Sequence, residues 1–182
     1  MDIKITNIKK LLFKDRKEYL IVNNKNLSVE IFIDKIAKFL QLGIKIIHFQ
    51  PDNNNDFETL EIGYKLRQLT SMFDAILLIE QRIDIAKIVD CDGVVLKETD
   101  IPIKLVKEKI EKDKIICAYI KNIQNEKKEL ILNSDVVLLS NNIKPTLKEL
   151  ATPYDLTQKI IYTTENKDDK NFIKAKKYEN II

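Results

Sequence analysis

One stretch of the sequence decides the fold: residues 75–102 read AILLIEQRIDIAKIVDCDGVVLKETDIP. An apolar run at residues 75–79 is followed by a short helical pattern at residues 83–86, and a second apolar run follows at residues 93–96. Neither run alternates apolar with polar residues, which is typical of parallel strands that are covered on both faces. The stretch therefore predicts a strand–helix–strand unit within a parallel sheet.

The same alternation of strand and helix patterns recurs on both sides of this unit. Further apolar runs lie at residues 19–22, 45–49, 115–120, 135–139, 159–163 and 180–182, and a last helix is predicted at residues 171–178. Eight runs predict a compact TIM-type (β/α)₈ barrel, in a single domain covering residues 1–182. Because such barrels usually need about 200 residues, we expect a reduced C-terminal end. The alternative is an open, doubly wound parallel sheet.

The N-terminal segment at residues 3–13 has two possible places in a barrel. It could be a helix that plugs the bottom of the barrel, or it could replace the missing last helix. If the last helix is absent, one flank of the barrel has less cover, and an exposed apolar flank usually finds a partner. We therefore expect a possible homodimer.

Composition excludes several classes of protein. Lys and Arg number 31 against 28 Asp and Glu, and a net charge of +3 gives no electrostatic argument for binding nucleic acid or a membrane. Three glycines cannot form a dinucleotide fingerprint or a Walker A loop. The first ten residues lack the apolar core of a signal peptide, and no apolar run reaches the roughly 18 residues that span a membrane. Two cysteines without nearby histidines suit a reducing compartment, so a cytoplasmic protein is expected.

Four segments carry a family resemblance: YLIV at residues 19–22, LGIKII at 42–47, QRIDIA at 81–86 and DGVVL at 92–96, the last followed by Asp100 and Pro102. They resemble thiamine-phosphate synthase and its TenI-type relatives, most specifically over residues 81–102. A weaker match begins at Asp135 and continues to Pro145, Thr146 and Lys148. The matching framework positions are Gly43, Arg82, Asp84, Ala86, Asp92 and Gly93.

The resemblance implies a (β/α)₈ barrel that couples hydroxymethylpyrimidine diphosphate with a thiazole phosphate. In the family, Mg²⁺ assists departure of pyrophosphate, so the resemblance implies Mg²⁺ as a possible cofactor and a phosphorylated small molecule as a ligand. Matched to the family, Asp100 is the candidate metal ligand. The candidate substrate-binding residues are His48, Gln50, Lys121, Thr146, Lys148 and Thr164.

The positions that carry the family's chemistry mostly differ here. The family's diphosphate-binding Gln, Arg and Lys correspond to His48, Gln50 and Asp52. A family Mg²⁺ carboxylate corresponds to Gln81. The preceding Glu80 is displaced by one residue on a strand, so its side chain is expected to point to the opposite face. In the other loops, the TenI histidine and a phosphate-binding glycine correspond to Lys121 and Glu165.

Two functions stay open at this point. The first is an enzyme, a thiamine-phosphate synthase or TenI-like protein that tolerates a divergent site. The second is a non-catalytic or repurposed member that binds a ligand or regulates. Asp100 could equally cap the helix that begins near Pro102. Arg82 and Asp84 are interpreted as a structural pair at a helix start.

Overall fold

The computed structural model describes residues 11–13, 16, 18–52, 55–121, 128–140, 160–164 and 172–177. Its strands are β1 (Glu18–Asn23), β2 (Ile46–Gln50), β3 (Ile76–Glu80), β4 (Gly93–Lys97), β5 (Ile115–Ile120), β6 (Val136–Leu139), β7 (Ile160–Thr164) and β8 (Phe172–Lys177). Its helices are α1 (Val29–Gln41), α2 (Asp56–Met72), α3 (Ile83–Ile88), α4 (Ile103–Lys109) and α5 (Lys128–Asn133).

Local signals set the ends of the longer helices. The Ser28 side chain accepts a hydrogen bond from the Ile31 backbone N–H at the start of α1, and the Asn55 side chain caps α2 in the same way. After α1 the chain turns at Gly43, whose φ of 95° is the left-handed conformation that favours glycine. In the described part of the chain, no helix is long and apolar enough to cross a membrane.

The eight strands close into a barrel in the order β1 to β8. Strands β1 to β7 pair in parallel with their neighbours along the chain. Strand β8 runs antiparallel and pairs with both β7 and β1, which closes the sheet. The predicted barrel is therefore confirmed, and the open-sheet alternative is wrong.

The closing strand corrects one prediction. Residues 171–178 were predicted as a helix, but Phe172–Lys177 forms β8. The edges of β1 and β7 offer unpaired backbone groups, and pairing with both edges outweighs the helix preference of the three Lys and one Ala in this segment. The strand predicted at residues 180–182 lies outside the described residues.

Two apolar clusters lie on the two faces of the sheet. The outer cluster joins alternate strand residues such as Leu20 and Val22 to helix residues such as Phe32 and Ile36. The inner cluster consists of the other strand residues and Phe13, and it contains no residue of α1 to α5. The inner cluster therefore fills the interior of the barrel.

Phe13 closes the interior at the amino-terminal end. Its ring packs edge-on against Tyr162, with 6.3 Å between ring centroids, and the Tyr162 hydroxyl donates a hydrogen bond of 2.6 Å to the Arg16 carbonyl. The Arg16 guanidinium in turn bonds the Asp74 carbonyl before β3. These contacts agree with the predicted plug at the bottom of the barrel, although residues 3–10 lie outside the described residues.

Two aspartates fix strand register at this amino-terminal end. Asp92 donates its backbone N–H to the Leu77 carbonyl and accepts the Leu77 N–H on its carboxylate at 2.8 Å. Asp135 makes the same pair of bonds with Ile116, and its carboxylate accepts at 2.9 Å. The two segments that resemble the family at Asp92 and Asp135 therefore share one structural role.

Candidate functional site

The carboxyl-terminal end of the barrel carries a set of inward-facing polar side chains. Alternate residues of a strand point to the same face, so the inward positions continue from the apolar interior to the strand ends. In β3 this series is Ile76, Leu78 and then Glu80. The strand ends of a parallel barrel meet at one face, which is where such barrels bind ligands. We call this face the mouth.

The centre of the mouth is the carboxylate of Glu80. Its Oε2 accepts a hydrogen bond of 2.8 Å from Gln50 Nε2 and lies 3.1 Å from His48 Nε2. Its Oε1 pairs with the ammonium of Lys97. The Glu80 side chain is only 5% exposed and His48 is fully buried. Strands β2 and β4, on either side of β3, thus supply three nitrogen groups to one buried carboxylate, and these four residues form what we call the Glu80 cluster.

The Glu80 cluster keeps this carboxylate ionised. Burial raises the pKa of Glu80, but hydrogen bonds and charge from His48 and Lys97 outweigh burial and lower the pKa to about 2. The negative charge of Glu80 therefore persists at neutral pH, where it offsets the positive charge of Lys97.

Aromatic rings surround His48 beneath the cluster. The imidazole packs edge-on against Tyr19 and Tyr119, with ring centroids 5.7 and 6.1 Å away. Its Nδ1 is buried and has no hydrogen-bond partner among the described residues. Burial raises the pKa of Tyr119 to about 12, so its hydroxyl stays neutral. The Lys121 ammonium lies 5.1 Å from the centre of the Tyr119 ring, a cation–π contact near the mouth.

A second polar contact joins the loops that follow β3 and β4. Gln81 has a left-handed backbone with φ of 62°, and its side-chain amide donates a hydrogen bond to Asp100 Oδ1. Asp100 Oδ2 accepts the Lys97 backbone N–H at 2.7 Å. Both oxygens of Asp100 thus hold hydrogen bonds that fix the loop after β4.

These residues do not fit a resident Mg²⁺. That ion requires nearly octahedral oxygen ligands at about 2.0–2.1 Å. Each oxygen of Asp100 and Glu80 instead faces a nitrogen donor. No group of three His, Cys, Asp or Glu side chains comes together as metal ligands would in the described ranges. The role of Asp100 as a metal ligand therefore stays a prediction, and no second carboxylate joins it among the described residues.

The structure brings together some of the predicted site residues. His48 and Gln50 meet at Glu80. Lys121 follows β5 at the same face, where its backbone N–H donates to Glu98. Thr164 is buried at the end of β7, where it pairs with Ala175 of β8. Thr146 and Lys148 lie outside the described residues, so their placement stays a prediction.

The predicted structural pair at the start of α3 is confirmed. Arg82 bonds both carboxylate oxygens of Asp84, at 2.9 and 2.6 Å. It also bonds Asp56 at the start of α2, at 2.6 Å. Arg82 therefore links two helices and has no part in the Glu80 cluster.

Sequence reasoning missed the central role of Glu80. The expectation that Glu80 and Gln81 point in different directions is correct, but Glu80 is the one that points into the barrel. The signal was present, because Glu80 continues the inward series of Ile76 and Leu78. From the sequence, Lys97 was expected only to form a basic rim at the carboxyl-terminal face with Lys121 and Lys144, whereas the structure pairs it with Glu80.

A groove of about 340 Å³ lies beside the mouth. It is lined by Lys97 and Asp100, by residues 101–103, and by Glu129 and Leu130. Lys97 thus touches both the Glu80 cluster and the groove, so the cluster lies next to solvent-accessible space.

Fold and site together define a class of protein: a parallel-stranded α/β barrel whose polar residues gather at the carboxyl-terminal mouth. A family model described as thiamine monophosphate synthase matches residues 18–180. The chain therefore belongs to the thiamine monophosphate synthase family, which the sequence resemblance predicted.

Individual relatives agree with this assignment. A thiamine-phosphate synthase of Methanobrevibacter smithii is 25% identical over 92% of this chain, and the match covers 71% of that protein. A thiamine-phosphate synthase of Methanococcus maripaludis is 32% identical over 63% of this chain and 54% of that protein. The solved thiamine phosphate pyrophosphorylase of Pyrococcus furiosus has a TM-score of 0.56 and 30% identity over 66% of this chain. The chain spans 58% of that structure, so it matches little more than half of two of these three relatives.

Proposed function

We propose that this chain binds thiamine precursors at its mouth but does not carry out Mg²⁺-dependent coupling of pyrimidine diphosphate with thiazole phosphate. One observation carries the proposal: the Gln81 amide donates to the Asp100 carboxylate. By resemblance, two carboxylates would hold Mg²⁺ at these two positions. Here the Gln81 amide and the Asp100 carboxylate are joined by a hydrogen bond instead, so neither group needs a cation as its partner.

The charges at the mouth support the same conclusion. A diphosphate brings about three negative charges, and phosphoryl chemistry relies on metal ions and cationic side chains to offset them. Here the ammonium of Lys97 is already paired with Glu80, and the aligned diphosphate positions are Gln50 and Asp52. Loss of one preorganised electrostatic group commonly costs about 10²–10³ in rate, so several losses together leave little coupling.

The other groups at the mouth suit the binding of a small molecule that contains a ring. Tyr119 supplies a neutral aromatic surface near the mouth, Lys121 supplies a cation above that ring, and the Glu80 cluster supplies hydrogen-bonding groups. Family membership makes the pyrimidine and thiazole precursors of thiamine the first ligands to test. A regulatory or carrier role follows if such binding occurs without turnover.

Calorimetry with the pyrimidine diphosphate, with and without Mg²⁺, tests the proposal. We expect no Mg²⁺-dependent affinity, no thiamine phosphate in a product assay, and no growth when the gene is placed in a thiamine-requiring synthase mutant. The Pyrococcus furiosus relative serves as the positive control. Micromolar affinity for the pyrimidine diphosphate that disappears in Asp100→Ala would contradict the proposal and support a thiamine-phosphate synthase instead.

A gain-of-function variant sharpens this test. Gln81→Asp removes the amide donor and sets a second carboxylate against Asp100, so we expect it to gain Mn²⁺ affinity, measured by electron paramagnetic resonance. Gln81→Ala is the matched control, since it removes the amide without adding a carboxylate and should gain nothing. Equal Mn²⁺ affinity in the unmodified protein would contradict the proposal.

Three further expectations from the sequence stay predictions. They are a single domain over residues 1–182, a homodimer and a cytoplasmic location. Sedimentation equilibrium over a range of concentrations tests the homodimer, and a monomer at the highest concentration would refute it.

A further inference from the structure

The geometry points to Glu80 as a specificity-determining residue: we propose that its carboxylate occupies the subsite where a phosphate group would bind, so that the mouth rejects anionic groups there. This inference rests on the proposed function and adds to it. It predicts that the ligand part reaching the Glu80 cluster is uncharged, whichever precursor binds.

Three nitrogen groups surround the Glu80 carboxylate. His48 Nε2 and Gln50 Nε2 of β2 and Lys97 Nζ of β4 converge on one carboxylate of the strand between them. Two nitrogen donors and an ammonium around a common point are the kind of set that holds a phosphate or carboxylate group. The chain therefore contains an anion subsite, and its own side chain fills that subsite.

Glu80 cannot easily leave this subsite. It ends β3, whose backbone pairs with both β2 and β4. Its side chain is 5% exposed, and the partner His48 is fully buried. An incoming phosphate would have to approach a buried charge of the same sign. Because water screens such a site poorly, the repulsion is strong.

Lys97 and Glu80 offset one another, and Gln50 is neutral. The Lys97 ammonium is therefore held by Glu80 and is not available to an incoming anion. The exposed Lys121 lies above the Tyr119 ring. Release of Lys97 from Glu80 is then the change that would create a phosphate site.

Binding of pyrophosphate, measured by calorimetry without divalent cations, tests this inference. We expect no binding by the unmodified protein at millimolar pyrophosphate and at least tenfold tighter binding by Glu80→Gln, which keeps the side-chain volume and removes the charge. The double variant Glu80→Gln with Lys97→Met should lose that gain, because the released ammonium is its source. Inorganic phosphate serves as a second probe and should show a smaller gain.

Glu98→Gln is the matched control, because it removes one negative charge from the residue that follows Lys97, at the same face of the barrel. It should change pyrophosphate affinity by less than about twofold. A gain equal to that of Glu80→Gln would overturn the inference, since any lost charge would then suffice. No gain in a folded Glu80→Gln would also overturn it, and Glu80→Met repeats the test if the amide variant does not fold.

The outcome is separable from that of the proposed function. Coupling activity in the unmodified protein would refute the proposed function whatever Glu80→Gln does. Pyrophosphate binding by the unmodified protein as tight as that of Glu80→Gln would refute only the role assigned to Glu80.

Discussion

At the amino-terminal end of the barrel, Asp92 and Asp135 hold backbone groups of Leu77 and Ile116. At the carboxyl-terminal end, Glu80 holds the side chains of three other strand residues instead. The first kind of contact depends on where the backbone runs, so the fold itself fixes it. The second depends on which side chains are present, so a set of them can change together while the backbone stays.

This difference explains which parts of the sequence resemble the family. Gly93 matches the family and lies where a Cβ atom would come within 2.2 Å of the Ile115 carbonyl oxygen. Asp92 matches the family and bonds the adjacent strand. By the sequence resemblance, Gln50, Gln81 and Lys121 stand where the family is expected to have other residues, and all three lie at or after the ends of strands at the mouth. The resemblance therefore predicts a retained barrel framework and a divergent ligand-facing end.

The largest expected effect is at the amino-terminal end of the barrel. Gly93→Ala should destabilise the protein by at least about 3 kcal/mol, because its Cβ would press on the Ile115 backbone, which cannot move without shifting β5. Urea denaturation measures the change. Gly43→Ala is the control: nothing lies within 4 Å of its Cβ, so only its left-handed φ costs free energy, about 1 kcal/mol. Similar losses in both variants would contradict the close approach at Gly93.

The next effect is at the mouth and depends on pH. Because the folded-state pKa of Glu80 is lowered to about 2, its contribution to stability is present above the unfolded pKa. That contribution is lost as pH falls from about 4.5 through about 2, and it amounts to about 3 kcal/mol. Thermal or urea unfolding across this range should show that loss for the unmodified protein.

Glu80→Gln isolates the contribution of this one group. The other acidic residues are the same in both proteins, so the difference between the two stability curves should shrink as pH falls. Parallel stability curves between pH 5 and pH 2 would mean that Glu80 has the same pKa in the folded and unfolded chains. The contacts with His48 and Lys97 would then not stabilise the ionised carboxylate.

A smaller effect is expected for the register contacts. Asp92→Ala removes the acceptor of the Leu77 N–H and the partner of Arg67, which lies 3.0 Å from the carboxylate. We expect a loss of about 2 kcal/mol in urea denaturation. Glu61→Ala, which breaks an exposed pair with Lys65, should cost less than about 0.5 kcal/mol. If both variants lose an equally small free energy of unfolding, then the contact of Asp92 with the Leu77 backbone does not stabilise the amino-terminal end of the barrel.

The sequence allowed prediction of the strand order and part of the mouth. The runs at residues 75–79 and 93–96 became β3 and β4, and the candidate site residues His48 and Gln50 both lie on β2, with Gln50 at its end. The segment at residues 172–177 was assigned to a helix because its Lys and Ala residues favour helices locally. Only its pairing with β1 and β7 makes it a strand.

By itself, the sequence determined the family, the parallel strands and the framework residues, because hydrophobic periodicity is local and the most specific family motif, at residues 81–102, is continuous in the chain. The tertiary structure alone decided that Glu80 faces Lys97, His48 and Gln50, and that Gln81 reaches Asp100. These partners are separated by 17 or more positions in the chain, and only the closure and register of the barrel bring them together.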